Sequence, residues 1–125
     1  MQLHSQRSEQ YPLSRDGALP RRWYSAGRVT DIPRGSSILL ETDAGVSVAV
    51  WRLEDDRVFA TDDLCSHYFW SLHGAGTLSG TEIICFGHEA RFDVTTGAAL
   101  CPPARQPLST YELAVDRHGQ IQVFA

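Results

Sequence analysis

Two cysteines and two histidines carry the chemistry that this sequence could do. Cys65 and His67 lie in "DDLCSHYFW", Cys85 and His88 in "IICFGHEARFD", and together they read C-x-H-x17-C-x2-H. Thiolate and imidazole are soft-to-borderline donors, suited to zinc or to an iron–sulfur cluster. Zinc modules commonly pair cysteine with cysteine and histidine with histidine. Here each pair is mixed, and the two pairs fall in separate segments. If those segments face each other, the two cysteines can hold one metal ion and the two histidines a second.

That division of donors describes a Rieske [2Fe–2S] centre, in which two histidines replace two cysteines on one iron. Two ferric ions, two sulfides and two thiolates sum to neutral, so an added electron leaves a single negative charge. Four thiolates would start doubly negative and repel that electron. Neutral imidazoles therefore raise the potential, to between roughly −150 and +300 mV across such centres. The competing use of the quartet is a zinc-stabilised structural domain, which would be redox-silent.

The elements that must position these donors read as β. "SSILLET" is a short apolar run, and Asp43-Ala44-Gly45-Val46 carries a hairpin signal. "VSVAVWRL" has apolar residues on both faces, as in a strand sandwiched between two layers. Glu54-Asp55-Asp56 turns the chain into "RVFAT". Near the C-terminus Tyr111, Leu113 and Val115 alternate to one side of a strand, "RHG" turns, and Ile121 and Val123 alternate with glutamines, which makes a terminal hairpin. No stretch has a helical period. The fold class expected is all-β, an antiparallel sandwich or partly open barrel. Residues 62–79 are poor in strand signal, and "GAGTLSG" at 74–80, overlapping their end, reads as a flexible connector. A loop of that length in a compact domain usually carries function.

On these residues the chain resembles the Rieske ferredoxins, in particular the small electron-transfer components of bacterial ring-hydroxylating dioxygenase systems. The resemblance runs from Trp23 to Ala125. It rests on "CSH", on "CFGH", on the "ARFDVTTGAALCPPARQPLSTYEL" that follows, and on "WSL" at Trp70 to Leu72. It implies a Rieske-like domain over 23–125 with a cluster-binding subdomain built on two loops, and residues 1–22 as a tail. By the same resemblance Cys65 and Cys85 bind one iron, His67 and His88 bind the outer one, and Pro102-Pro103 belongs to a third loop covering the cluster. Tyr68, Phe86 and Glu89 depart from the residues common in the family beside the ligands. Ala90 stands where high-potential respiratory relatives carry a serine, and Asp62, Asp63 and Glu89 add negative charge. These features place the expected potential toward the low end of the range. Tyr68, Phe69 and Trp70 shield the cluster or offer a docking face. Cys101, outside the quartet, reads as a small core residue or spare thiol, and His73 as solvated.

The function implied is a soluble one-electron carrier. It would run between an NAD(P)H-dependent flavoprotein reductase and a terminal Rieske non-haem iron oxygenase acting on an aromatic compound, with no catalysis of its own. A tightly bound Rieske subunit of another redox complex is the alternative. The charge distribution is compatible with docking on protein. Residues 1–22 hold four arginines against two acids, whereas the remainder holds seven arginines against thirteen acids. An acidic body argues against a nucleic-acid partner. No apolar run reaches the roughly 20 residues of a membrane span, and Arg21-Arg22 is not followed by the apolar segment of an export signal. A cytoplasmic location is expected.

Overall fold

The computed structural model of the chain describes residues 20–65, 71–85, 90–101 and 106–125. Ten strands form two antiparallel sheets. The larger contains β1 (Trp23–Arg28), β2 (Ser36–Glu41), β3 (Ser47–Arg52), β4 (Val58–Asp62), β9 (Thr110–Val115) and β10 (Gln120–Phe124). Its spatial order is β1-β10-β9-β4-β3-β2. The smaller runs in sequence order through β5 (Gly76–Ser79), β6 (Glu82–Cys85), β7 (Arg91–Asp93) and β8 (Ala99–Cys101).

The large sheet curls until its edge strands nearly meet. Asp43, at the tip of the β2–β3 hairpin, pairs with the Arg22 guanidinium and donates its backbone N–H to the Tyr24 hydroxyl at 3.2 Å. Arg22 also lies over the Tyr24 ring, 4.2 Å from its centroid. The partly open barrel expected from the sequence is therefore present. Backbone pairing begins one residue before Trp23, because Arg22 and Ala125 exchange two N–H···O bonds at 3.1 Å.

Strand β3 shows why the molecule has two cores. Side chains alternate across a strand with period two, and here both sides are buried. Val48 and Val50 join Ile32, Ala60, Ile121 and Val123 inside the barrel. Ala49 and Trp51, with Leu53 just beyond the strand, face the small sheet and pack with Ile83, Phe92, Val94 and Leu108. The buried indole N–H of Trp51 is satisfied by Thr61 Oγ1 at 3.0 Å, as such groups usually are.

Three expectations need correction. Residues 74–80 are not a flexible connector: β5 lies within them and pairs with β6 from Gly76↔Cys85 to Ser79↔Glu82. The glycines hid the strand, but Gly76 is required, since a Cβ there would lie 2.7 Å from the Leu72 carbonyl oxygen. A helix also exists, α1 (Leu72–Ala75), only one turn long and so too short to show a period. Finally, Tyr111 and Leu113 pack on the barrel core as the alternation suggested, but Val115 is exposed, lying at the last position of β9.

Candidate metal centre

Cys65 follows closely on β4. After Asp62 ends that strand, the Asp63 N–H still donates to the Ser47 carbonyl at 3.0 Å, and Leu64 forms a bridge with Ser71. The ends of segment 66–70 are thus joined. Cys85 ends β6, and its N–H donates to the Ala90 carbonyl at 2.8 Å, so the ends of segment 86–89 also meet. Cys101 ends β8 opposite Arg91, the first residue of β7. In the register of the small sheet, Cys85, Arg91 and Cys101 fall at one end, and Gly76, where β5 begins, is opposite Cys85. Segments 86–89 and 102–105 therefore depart from the same end of the small sheet, whereas segment 66–70 departs beyond β4 of the large sheet and returns to α1 just before β5.

Cys65 and Cys85 are fully buried in the core between the sheets, and neither is in a disulfide. Burial pushes the Cys85 thiol up to about 11, helped by a hydrogen bond and charge interaction with the adjacent Cys65 thiol. Such a thiol stays protonated at neutral pH, whereas metal ligation requires thiolate. Two adjacent buried sulfurs suit a metal that takes two thiolates. Among the described residues no group of three or more His, Cys, Asp or Glu converges. His67 and His88 lie outside the described residues, as do Tyr68, Phe69, Trp70, Phe86, Glu89, Pro102 and Pro103.

Residues that the sequence presented only as charges or polar neighbours turn out to hold this end together. Asp63 is buried, and its Oδ1 accepts the His73 N–H at 2.8 Å. His73 is exposed, yet it is tied to β2 by a 2.7 Å hydrogen bond between its Nδ1 and Ser37 Oγ. Asp62 accepts from the Tyr111 hydroxyl at 2.6 Å and from the Ser109 N–H at 3.1 Å. Burial, followed by that bond to Asp62, holds the Tyr111 hydroxyl well above the ordinary tyrosine range. These links span 10 to 49 residues of sequence, and no local motif marks them. Beside them, an open groove of about 490 Å³ is lined by Val46, Asp62, Leu64 and Pro107, among others. Leu64, next to Cys65, is 47% exposed.

Residues 22–112 match the family model of the Rieske [2Fe-2S] domain, and the chain belongs to that family. A ferredoxin component of the naphthalene 1,2-dioxygenase system from Pseudomonas aeruginosa is 37% identical over 98 residues, covering 78% of this chain and 91% of the relative. The ferredoxin component of a p-cumate 2,3-dioxygenase system from Pseudomonas putida is 37% identical over 93 residues, 74% of this chain and 77% of its own. Among solved structures, the ferredoxin of Sphingomonas yanoikuyae B1 superposes with a TM-score of 0.74 at 29% identity, covering 83% of this chain and 99% of that one. A chain in a complex of reduced oxygenase and oxidized ferredoxin of carbazole 1,9a-dioxygenase gives 0.73 at 30% identity, covering 80% and 99%. The cofactor is therefore one Rieske-type [2Fe–2S] cluster, and the relatives are named as ferredoxin components of dioxygenase systems.

Proposed function

We propose that Cys65, His67, Cys85 and His88 hold the cluster, and that residues 23–125 act as one domain carrying single electrons from an NAD(P)H-dependent flavoprotein reductase to a terminal Rieske oxygenase that acts on an aromatic compound. The observation that carries this reading is the buried Cys65–Cys85 pair between the sheets, brought together from the end of β4 and the end of β6, neither sulfur in a disulfide. The relatives' names supply the system, since they are ferredoxin components of naphthalene, p-cumate and biphenyl dioxygenases. Among the described residues no helix is long and apolar enough to cross a membrane, which agrees with a cytoplasmic carrier.

When bound, the cluster would supply a reversible one-electron couple. The chain's own contribution is to keep water from the cysteine sulfurs with Leu72, Ile83, Phe92 and Leu108. It also presents a face on which a partner can dock weakly and leave. Leu64 and Val46, both exposed and both on the groove beside Cys65, give that face an apolar element. Weak electron-transfer complexes bury less than about 1,200 Å², so a small apolar contact is sufficient. The acidic groups near Cys65 put the potential toward the low end of the range.

Reconstitution tests the assignment. With purified reductase, NAD(P)H and terminal oxygenase from an aromatic-hydroxylating system, adding the chain should restore product formation and saturate at micromolar concentration. A chain that is reduced by dithionite but supports no turnover with any such pair would refute the carrier assignment. Co-purification in a stable stoichiometric complex would favour a permanent subunit.

A further inference from the structure

We propose that Asp63 is a positioning residue for the cluster, the clasp that closes the loop beginning at Cys65 and so fixes where the Cys65 sulfur stands. This rests on the reading of Cys65 as a ligand. The four N–H groups in the first turn of a helix have no partner within it. In α1 those of Leu72, His73 and Gly74 are satisfied from residues before the helix, two of them by Asp63. The Leu72 N–H donates to the Asp63 carbonyl at 2.5 Å, and the His73 N–H to its carboxylate at 2.8 Å. The Ser71 hydroxyl accepts the third, from Gly74 at 3.4 Å, and the Ser71 carbonyl accepts the first bond of the helix itself, from Ala75 at 2.8 Å.

The same residue holds the sheet. Its N–H donates to Ser47 at the start of β3, so one residue bonds the large sheet on one side and the far end of the loop on the other. The anchor continues through His73 to Ser37 on β2. Asp63 is 2% exposed. An isolated one-turn helix is far too short to persist by itself, so its position depends on these tertiary bonds. Cys65 lies two residues beyond Asp63 and follows directly on Leu64, which bridges Ser71. Losing the carboxylate frees the His73 N–H inside the structure and lets the loop base open. The Cys65 sulfur is the atom that then moves.

The test uses the full-length, cluster-loaded protein as wild type, D63A, D63N and D62N. Three readouts are taken: bleaching of the visible band under an iron chelator, the EPR g-values of the reduced protein, and hydrogen exchange of the amides in residues 71–75. Loss of one side-chain cap corresponds to roughly a fivefold change in an opening equilibrium. D63A should therefore bleach about fivefold faster, shift its g-values and exchange faster over 71–75. D63N keeps an oxygen for the His73 N–H and should return all three toward wild type. D62N removes the same charge one residue away but no bond to α1, since Asp62 accepts from Tyr111 and Ser109, and it should leave hydrogen exchange over 71–75 unchanged. If D63A does not fold, Asp63→Glu replaces it, displacing the acceptor by one methylene while keeping the charge, with the same shifts expected. Wild-type behaviour of D63A or D63E, or a D63N as impaired as D63A, would overturn the clasp. Failure of the wild type to take up a cluster would instead refute the ligand reading, and hydrogen exchange over 71–75 would still decide the clasp.

Discussion

Replacing Gly97 by alanine tests how closely the chain is packed where it enters and leaves the third expected loop. Gly97 follows β7 with φ at +81°, and a Cβ built there lies 2.1 Å from the Leu108 carbonyl oxygen. Its own carbonyl accepts the Leu108 N–H at 2.8 Å, which joins the chain on both sides of residues 98–107. Left-handed backbone in a residue bearing a Cβ costs about 1 kcal/mol. The contact is with backbone, so Leu108 must also retreat by roughly 1 Å and give up its hydrogen bond, worth about 1 kcal/mol, with further loss of packing around a buried leucine. The total is about 3 kcal/mol, or roughly 12 °C in melting temperature for a domain of this size. Gly119 supplies the control. Its φ is also +81°, but nothing lies within 4 Å of its Cβ position, so G119A should lose only the strain, about 4 °C. Thermal melts by circular dichroism, at matched iron content, measure both. Equal losses in the two variants would refute the packing argument.

Other consequences are open to direct measurement. Leu64→Ser should slow electron transfer to the oxygenase severalfold while leaving the potential nearly unchanged, as read by stopped flow and redox titration; an unaltered rate would remove Leu64 from the docking face. The Tyr111 hydroxyl is held protonated above its ordinary range. Its contribution to stability is therefore intact below about pH 10, the unfolded value, and is lost as pH rises above that; Tyr111→Phe should flatten this alkaline limb in denaturant titrations. Asp56 is held at about 2 by hydrogen bonds from Arg34 and then Arg52. What it contributes is present above the unfolded value near 4 and fades as pH falls toward 2, and NMR titration of Arg34→Ala should show the Asp56 carboxyl moving back up.

The distribution of legible and hidden features follows from the range of the interactions. β3 could be read because four adjacent apolar side chains bury both faces, and the β2–β3 hairpin because its turn signal is local. Residue type and spacing singled out four candidate donors, and of these Cys65 and Cys85 are brought together by the described fold. β5 was hidden because its first residue is a glycine selected by a close approach to Leu72, and its content of Thr, Leu and Ser carries a weak strand signal. α1 was hidden because its stability comes from Asp63, ten residues before the amide it caps. The Asp62–Tyr111 bond joins residues 49 apart, and nothing in either neighbourhood announces it.

The central claim is that two cysteines and two histidines of this chain hold a one-electron cluster. Its most direct test is EPR with nitrogen-resolved hyperfine spectroscopy on the dithionite-reduced protein, labelled with ¹⁵N-histidine and compared with His67→Ala and His88→Ala. The account predicts a Rieske-type signal with two histidine nitrogens coupled to the reduced cluster, lost or transformed in either variant. A colourless zinc protein, or a cluster signal with no histidine coupling that survives both substitutions, would contradict it.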